Sequence, residues 1–213
     1  MSLLPVAVVI SGRGSNMEAI ARASLSGASR YRVVRVIADR DSAGGLSRAA
    51  TLGIPTSVVP VKQFADRSSF DTALAAELDA SGARLVALAG FMRILSAEFV
   101  QRFEGRLLNI HPSLLPKYKG LDTHARAIAA GDTQHGASVH YVTAELDGGP
   151  VIAQVDLPIL PADTPETLAS RLLSREHRLL CRCVAWIAQG RVALAGDRVT
   201  VDGVAQEAQP LID

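Results

Sequence analysis

The chain has 213 residues, 48% of them hydrophobic and 20% charged, with 22 Lys+Arg against 21 Asp+Glu and a formal net charge of +1. That length suits one domain with a sizeable core, and so even a charge balance excludes bulk attraction to nucleic acid or to a membrane surface, so any anion site must be local. No apolar run approaches the roughly 18 residues of a membrane span, and the opening MSLLPVAVVISGRGSN has neither a basic stretch nor a small-residue cleavage site, so a signal peptide is not expected.

Val6–Ile10 is a continuous apolar run, the pattern of a strand buried on both faces. Gly12, Gly14 and Ser15 form a turn, and Asn16–Ser26 reads as a helix ending near Gly27. Tyr31–Ala38 is a second strand. SAGGLSRAATLG reads as a helix stopped at Gly53, followed by a short strand near Thr56–Val59. Phe64–Ala80 is an amphipathic helix with Phe70, Leu74 and Leu78 at i, i+4 spacing. Leu85–Leu88 is a buried strand, Ser96 a helix N-cap with Glu98 in the first turn, and Leu107–Ile110 the next strand. Helices of ten or more residues alternating with strands predict an α/β fold with a mostly parallel sheet.

Beyond Gly120 the rhythm changes. His124–Ala130 reads as helix, Ala137–Thr143 and Val151–Leu157 as strands joined through AELDGGP, and Pro165–Gln189 as one long helix. RVALAGDRVTVDG predicts a closing hairpin about a Gly-Asp turn. Cys181 and Cys183 fall on that long helix at i, i+2 and so point to different faces. This suits neither a disulfide nor a chelate and favours a reduced, cytoplasmic setting.

Three stretches carry chemistry. Ser11–Asn16, SGRGSN, follows the first strand, where glycines permit a tight turn and let backbone amides approach an anion in front of a helix N-terminus. The dinucleotide pattern G-x-G-x-x-G fails here at Met17, although Asp39 lies about where a ribose-binding acid would; a plain strand–helix turn is the alternative. Asn109-Ile110-His111-Pro112 places an amide and an imidazole on one face of a strand that Pro112 terminates. Both are donors of the kind that hold an oxyanion, and a structural histidine is the alternative. In ELDGGPVIAQ, Asp147 precedes Gly148-Gly149-Pro150, a turn restricted enough to aim one carboxylate; beside His111, that carboxylate would orient the ring and favour its protonated form. The five histidines show no metal-ligand spacing and no G-x-S-x-G is present, so neither a metal nor a serine nucleophile is expected.

Taken together, ISGRGSN, LAGFMRILS, LLNIHPSLLPKYKG, HGASVHYVTAELDGGPVIAQ and REH, in that order and nearly end to end, resemble the folate-dependent phosphoribosylglycinamide formyltransferase family of purine biosynthesis. The resemblance implies a single Rossmann-like formyltransferase domain over 1–213. Its mostly parallel central sheet would be flanked by helices, with antiparallel strands toward the C-terminus. A phosphate-binding half would cover about 1–105, and a folate and catalytic half about 106–213. It implies that Gly14, Ser15 and Asn16, with Glu176 and the preceding turn Leu173, Ser174 and Arg175, hold the phosphoribosyl glycinamide. Arg67, Met92, Arg93, Ile94, Leu95, Asn109, and the loop Thr143, Ala144, Glu145, Leu146 and Asp147 would hold 10-formyltetrahydrofolate as cosubstrate. Asn109, His111 and Asp147 would carry the chemistry. The partners implied are small molecules, with no nucleic acid, membrane or metal, in a cytoplasmic monomer or homodimer. Asp122 and Asp39-Arg40 depart from the family's usual residues. The readings left beside it are another 10-formyltetrahydrofolate-dependent transferase or hydrolase, and a noncatalytic nucleotide-binding α/β module.

Overall fold

The computed structural model describes residues 2–205. Its contacts group into two compact units, residues 1–109 and 110–213.

The first unit is built on parallel strands in the order β3-β2-β1-β4-β5. They are β1 (Leu4–Ile10), β2 (Tyr31–Ala38), β3 (Thr56–Val58), β4 (Leu85–Leu88) and the start of β5 (Leu107–His111). β1 pairs with both β2 and β4, Val6 lying opposite Val33 on one side and Leu85 on the other. A strand with neighbours on both edges and helices on its faces must be apolar throughout, and Val6 to Ile10 are fully buried.

Helix α1 (Ser15–Ser24) buries Met17, Ile20, Ala21 and Ser24, one stripe at helical spacing. Helix α2 (Gly45–Thr51) follows β2. Helix α3 starts at Arg67 and runs to Ala80, three residues later than the apolar spacing from Phe64 predicts. Asp66 is the reason: its carboxylate accepts the Ser69 amide at 2.8 Å and fixes the first turn there, after a separate 3-10 turn at Val61–Gln63. Ser96 caps the short helix α4 (Ala97–Arg102) by accepting the Phe99 amide at 3.2 Å, as expected.

The second unit begins at the end of β5. It contains α5 (Thr123–Ala129), the antiparallel pair β6 (Gln134–Tyr141) and β7 (Val151–Pro158), and the long helix α6 (Pro165–Ala188) packed against both strands. Thr164 and Thr167 form a reciprocal capping box, with Pro165 in the first turn where its missing amide proton costs nothing. The stripe α6 buries is Leu168, Leu172, Leu179, Leu180, Cys183 and Val184, with the acid Glu176 set within it. The predicted hairpin is β8 (Val192–Ala195) with β9 (Arg198–Val201), extended by a short β10 (Val204–Ala205). The mostly parallel α/β reading with antiparallel strands toward the C-terminus is therefore correct.

Candidate active site

In the second unit β5 ends at His111, and Pro112 closes the strand. The chain then turns back under a buried polar network. Ser138 on β6 donates to the Ser113 carbonyl at 2.6 Å and accepts the Leu115 amide at 3.0 Å, while Gln154 on β7 donates to Ser138 Oγ at 2.8 Å and to the Leu115 carbonyl at 2.9 Å. These bonds satisfy backbone groups that would otherwise be buried unpaired, and they fix the path of Ser113–Gly120. Along that path Tyr118 adopts φ 55°, and its carbonyl accepts His111 Nε2 at 2.9 Å.

The other ring nitrogen, Nδ1, faces Asp147 Oδ2 at 3.3 Å, and both side chains are more than nine-tenths buried. Asp147 itself sits at φ 47°, a left-handed conformation that Asp tolerates better than most residues. Gly149 follows because a Cβ there would overlap the Tyr141 carbonyl. The restrictive turn expected from Asp-Gly-Gly-Pro is thus a loop pressed against β6. Asp147 Oδ2 also accepts the Gly120 amide at 3.0 Å.

A third side chain completes this cluster and was not singled out from the sequence. His140 Nε2 faces Asp147 Oδ1 at 3.6 Å, while its Nδ1 donates to the Tyr141 carbonyl at 2.9 Å. The β6–β7 register slips between Val139 and His140, and such a bulge re-aims a side chain relative to simple alternation. A bulge leaves no mark in the residue pattern, so His140 reads as one more histidine in an apolar run. Asp147 therefore stands between two imidazoles, each tied through its other nitrogen to a backbone carbonyl.

Burial alone would raise the carboxyl of Asp147, but the His140 side chain, the Gly120 amide and the charge of His111 together hold it below the usual carboxylate range. At His111 the influences oppose one another. Burial of the ring is the largest influence and lowers its pKa; the Tyr118 carbonyl and the charge of Asp147 oppose this but do not overcome it. Nε2 carries a proton, because only a donor can meet the Tyr118 carbonyl, and Nδ1 faces a carboxylate, so the hydrogen-bond geometry favours the protonated ring while burial opposes it. The expected pull of Asp147 toward the imidazolium is present, and burial of the ring works against it.

Nearby in the same unit, His124 Nδ1 meets His135 Nε2 at 2.8 Å, so one nitrogen must be bare. Burial first, then the neighbouring His124, push His135 down to about 4. Thr143, Ala144, Glu145 and Leu146 lie on the loop leading to Asp147, where Leu146 is exposed and Lys119 pairs with Glu145 at 2.6 Å. Leu173, Ser174 and Arg175 lie within α6, so the predicted turn there is a turn of helix. Arg175 donates to the Asp156 carbonyl at 2.7 Å, and Glu176 is buried.

In the first unit Asn109 is half-buried on β5, opposite Leu88 of β4. Gly14, Ser15 and Asn16 stand together at the head of α1. Gly14 is required twice: it has φ 74°, and a Cβ there would come within 2.6 Å of Gly45 Cα. Gly14 caps α1 without a side chain, so no cap side chain covers the first-turn amides. They border a cleft of about 330 Å³ also lined by Ser11, Arg40 and Met92. A second cleft, of about 390 Å³, is lined by Arg67, Met92, Arg93 and Ile94 with Phe64 and Phe70. This brings together four of the five residues of this unit's Arg67 and Met92–Leu95 set. Met92 and Ile94 are exposed apolar side chains on its wall. Among the described residues no helix is long and apolar enough to cross a membrane, and no group of acids, histidines and cysteines is arranged to hold a metal.

Residues 4–184 match the family described as formyl transferase. The chain is 43% identical to phosphoribosylglycinamide formyltransferase of Escherichia coli K12 over 198 residues, covering 93% of each, and 41% identical to the Haemophilus influenzae enzyme of the same name, covering 94% of each. The solved structure of phosphoribosylglycinamide formyltransferase from Coxiella burnetii superposes with a TM-score of 0.94 at 44% identity, covering the whole of both chains.

Proposed function

Because this chain belongs to the formyl transferase family, we propose that it transfers the formyl group of 10-formyltetrahydrofolate to the amine of N1-(5-phospho-D-ribosyl)glycinamide, giving the N-formyl product and tetrahydrofolate in purine biosynthesis. The observation that carries the chemistry is the pair His111–Asp147, with Nδ1 at 3.3 Å from Oδ2 and Nε2 already donating to a carbonyl oxygen. Donation to the Tyr118 carbonyl has the same polarity as donation to a formyl oxygen. When the formyl oxygen takes the place of Tyr118 as acceptor, the ring needs no change of tautomer.

The neutral glycinamide amine attacks the formyl carbon, a C–N bond forms, and the carbonyl electron pair moves onto oxygen. His111 Nε2 and the Asn109 amide donate to that oxygen as its charge grows; one such donor is typically worth about 3–4 kcal/mol of barrier. The former amine now carries an extra proton. Asp147, held as a carboxylate, removes it directly or through one water and shares it with His111 Nδ1. The pair returns the proton to the departing folate nitrogen as the C–N bond to folate breaks and the carbonyl re-forms. The developing oxyanion adds to the Asp147 carboxylate in favouring imidazolium at the moment it is useful. An amine with a pKa near 8 is about a tenth deprotonated at pH 7, enough to supply the nucleophile.

The resemblance assigns Gly14, Ser15 and Asn16, with Leu173, Ser174, Arg175 and Glu176, to the phosphoribosyl substrate. It assigns Arg67, Met92, Arg93, Ile94, Leu95, Asn109 and the Thr143–Asp147 loop to folate. The cleft at Arg67 and Met92–Ile94 supports the second assignment, and the uncapped head of α1 supports the first. The enzyme acts on small molecules and requires no metal. Formyl transfer assayed in parallel with phosphoribosylglycinamide, formylatable tRNA and water as acceptors tests the proposal. Turnover with the first alone is expected; deformylation or tRNA formylation at comparable kcat/KM would overturn it.

A further inference from the structure

Asp39 directly follows β2 with its side chain wholly inaccessible to solvent, an expensive place for a carboxylate unless it is paired. Two guanidinium groups pair it. Arg40 donates from Nε to Oδ1 at 2.9 Å and from Nη2 to Oδ2 at 3.1 Å, a two-pronged grip, and Arg93 donates from Nε to Oδ2 at 2.9 Å. These donors, with Ser11, hold Asp39 below the usual carboxylate range despite its burial. One negative charge therefore answers two positive ones, and the cluster keeps a net charge of +1.

The Arg40 side chain is 45% exposed and lines the same 330 Å³ cleft as Gly12–Asn16. Its Nε and Nη2 face Asp39, which leaves Nη1 for a ligand. A guanidinium braced on one edge by a buried carboxylate loses little further freedom when its other edge binds, so its charge is preorganised. Beside it are the amides at the head of α1, which favour the same ligand sign.

We propose that Arg40, positioned by Asp39, is a specificity residue for the phosphate monoester of the acceptor substrate: its guanidinium contacts the phosphate dianion and discriminates the phosphorylated amine from its nucleoside. This rests on the reading that the α1 cleft takes the phosphoribosyl group, which assigns no part to Arg40. A merely structural Arg40 would serve only to neutralise Asp39, and then substrate charge would be irrelevant to it.

The test is steady-state kinetics of wild type, Arg40→Met and Arg40→Lys with phosphoribosylglycinamide and with the dephosphorylated nucleoside. Calorimetric titration with inorganic phosphate accompanies the kinetics. For Arg40→Met, KM for the phosphorylated amine and Kd for phosphate should each rise about 10- to 100-fold, the loss of one charge-assisted contact. KM for the nucleoside should stay within about twofold, and Arg40→Lys should recover part of the affinity because it restores charge without the planar fork. Equal rises for both acceptors, or an unchanged phosphate Kd in Arg40→Met, would overturn the proposal. If wild type fails to turn over phosphoribosylglycinamide at all, the reaction assignment falls instead, and phosphate titration still decides the role of Arg40.

Discussion

At Gly12–Ser15 the missing side chains bring backbone amides to the surface of a cleft. At Gly148–Gly149 they press a loop onto β6 and turn one aspartate toward two imidazoles. The first loop is partly open, and its positive charge comes from Arg13 and Arg40. The second is enclosed and holds His111, lowered by burial against the pull of Asp147, and Asp147, lowered against its own burial by His140, the Gly120 amide and His111. Under the proposed function the same residue type would support binding in one place and proton chemistry in the other. The difference lies in whether the backbone or a side chain is what the glycine releases.

The largest expected effect falls on the second loop's partner. His111→Asn should lower kcat by about 10²–10³, the usual loss for one oxyanion donor, and leave substrate affinity nearly unchanged. Single-turnover rates with separately measured Kd values would show this; turnover within about tenfold of wild type would remove His111 from the chemistry. Glycine substitutions sharpen the contrast next. Gly149→Ala forces a clash with the Tyr141 carbonyl, and overpacking of this kind costs about 1–3 kcal/mol, or several degrees of Tm for a chain this size. Gly12→Ala meets nothing within 4 Å and should shift stability by less than about 0.5 kcal/mol. Equal Tm losses for the two would mean that the close approach at Gly149 does not constrain the loop.

A smaller effect concerns acid stability. His135 has a folded pKa of about 4, below the roughly 6.5 of an unfolded histidine, so on acidification the unfolded chain takes up the proton first. Its contribution to stability is fully present above about pH 6.5 and is lost progressively toward pH 4. Urea midpoints of wild type and His135→Gln across that range should converge as pH falls; parallel curves would show that His135 titrates normally.

Most of the fold was legible because burial on two faces forces apolar runs, as at Val6–Ile10 and Leu85–Leu88, and one-face burial forces the stripe at Phe70, Leu74 and Leu78. The start of α3 was misplaced because an apolar period does not show where a cap such as Asp66 acts. At the site, His111 and Asp147 were legible as residues set beside chain-breaking proline and glycine. Three things were not. The bulge that aims His140 has no sequence mark, and the burial that opposes protonation of His111 depends on residues distant in sequence. The two-arginine grip on Asp39 needs Arg93, far along the chain.

The central claim is that Asp147 moves a proton rather than holding a ligand. The most direct measurement is the single-turnover formyl-transfer rate of Asp147→Asn at saturating concentrations of both substrates, with each Kd determined by titration. If Asp147 moves the proton, the rate falls at least about a hundredfold while both Kd values stay within about threefold of wild type. A rate that survives within about tenfold, or a loss that appears entirely in Kd, would contradict it.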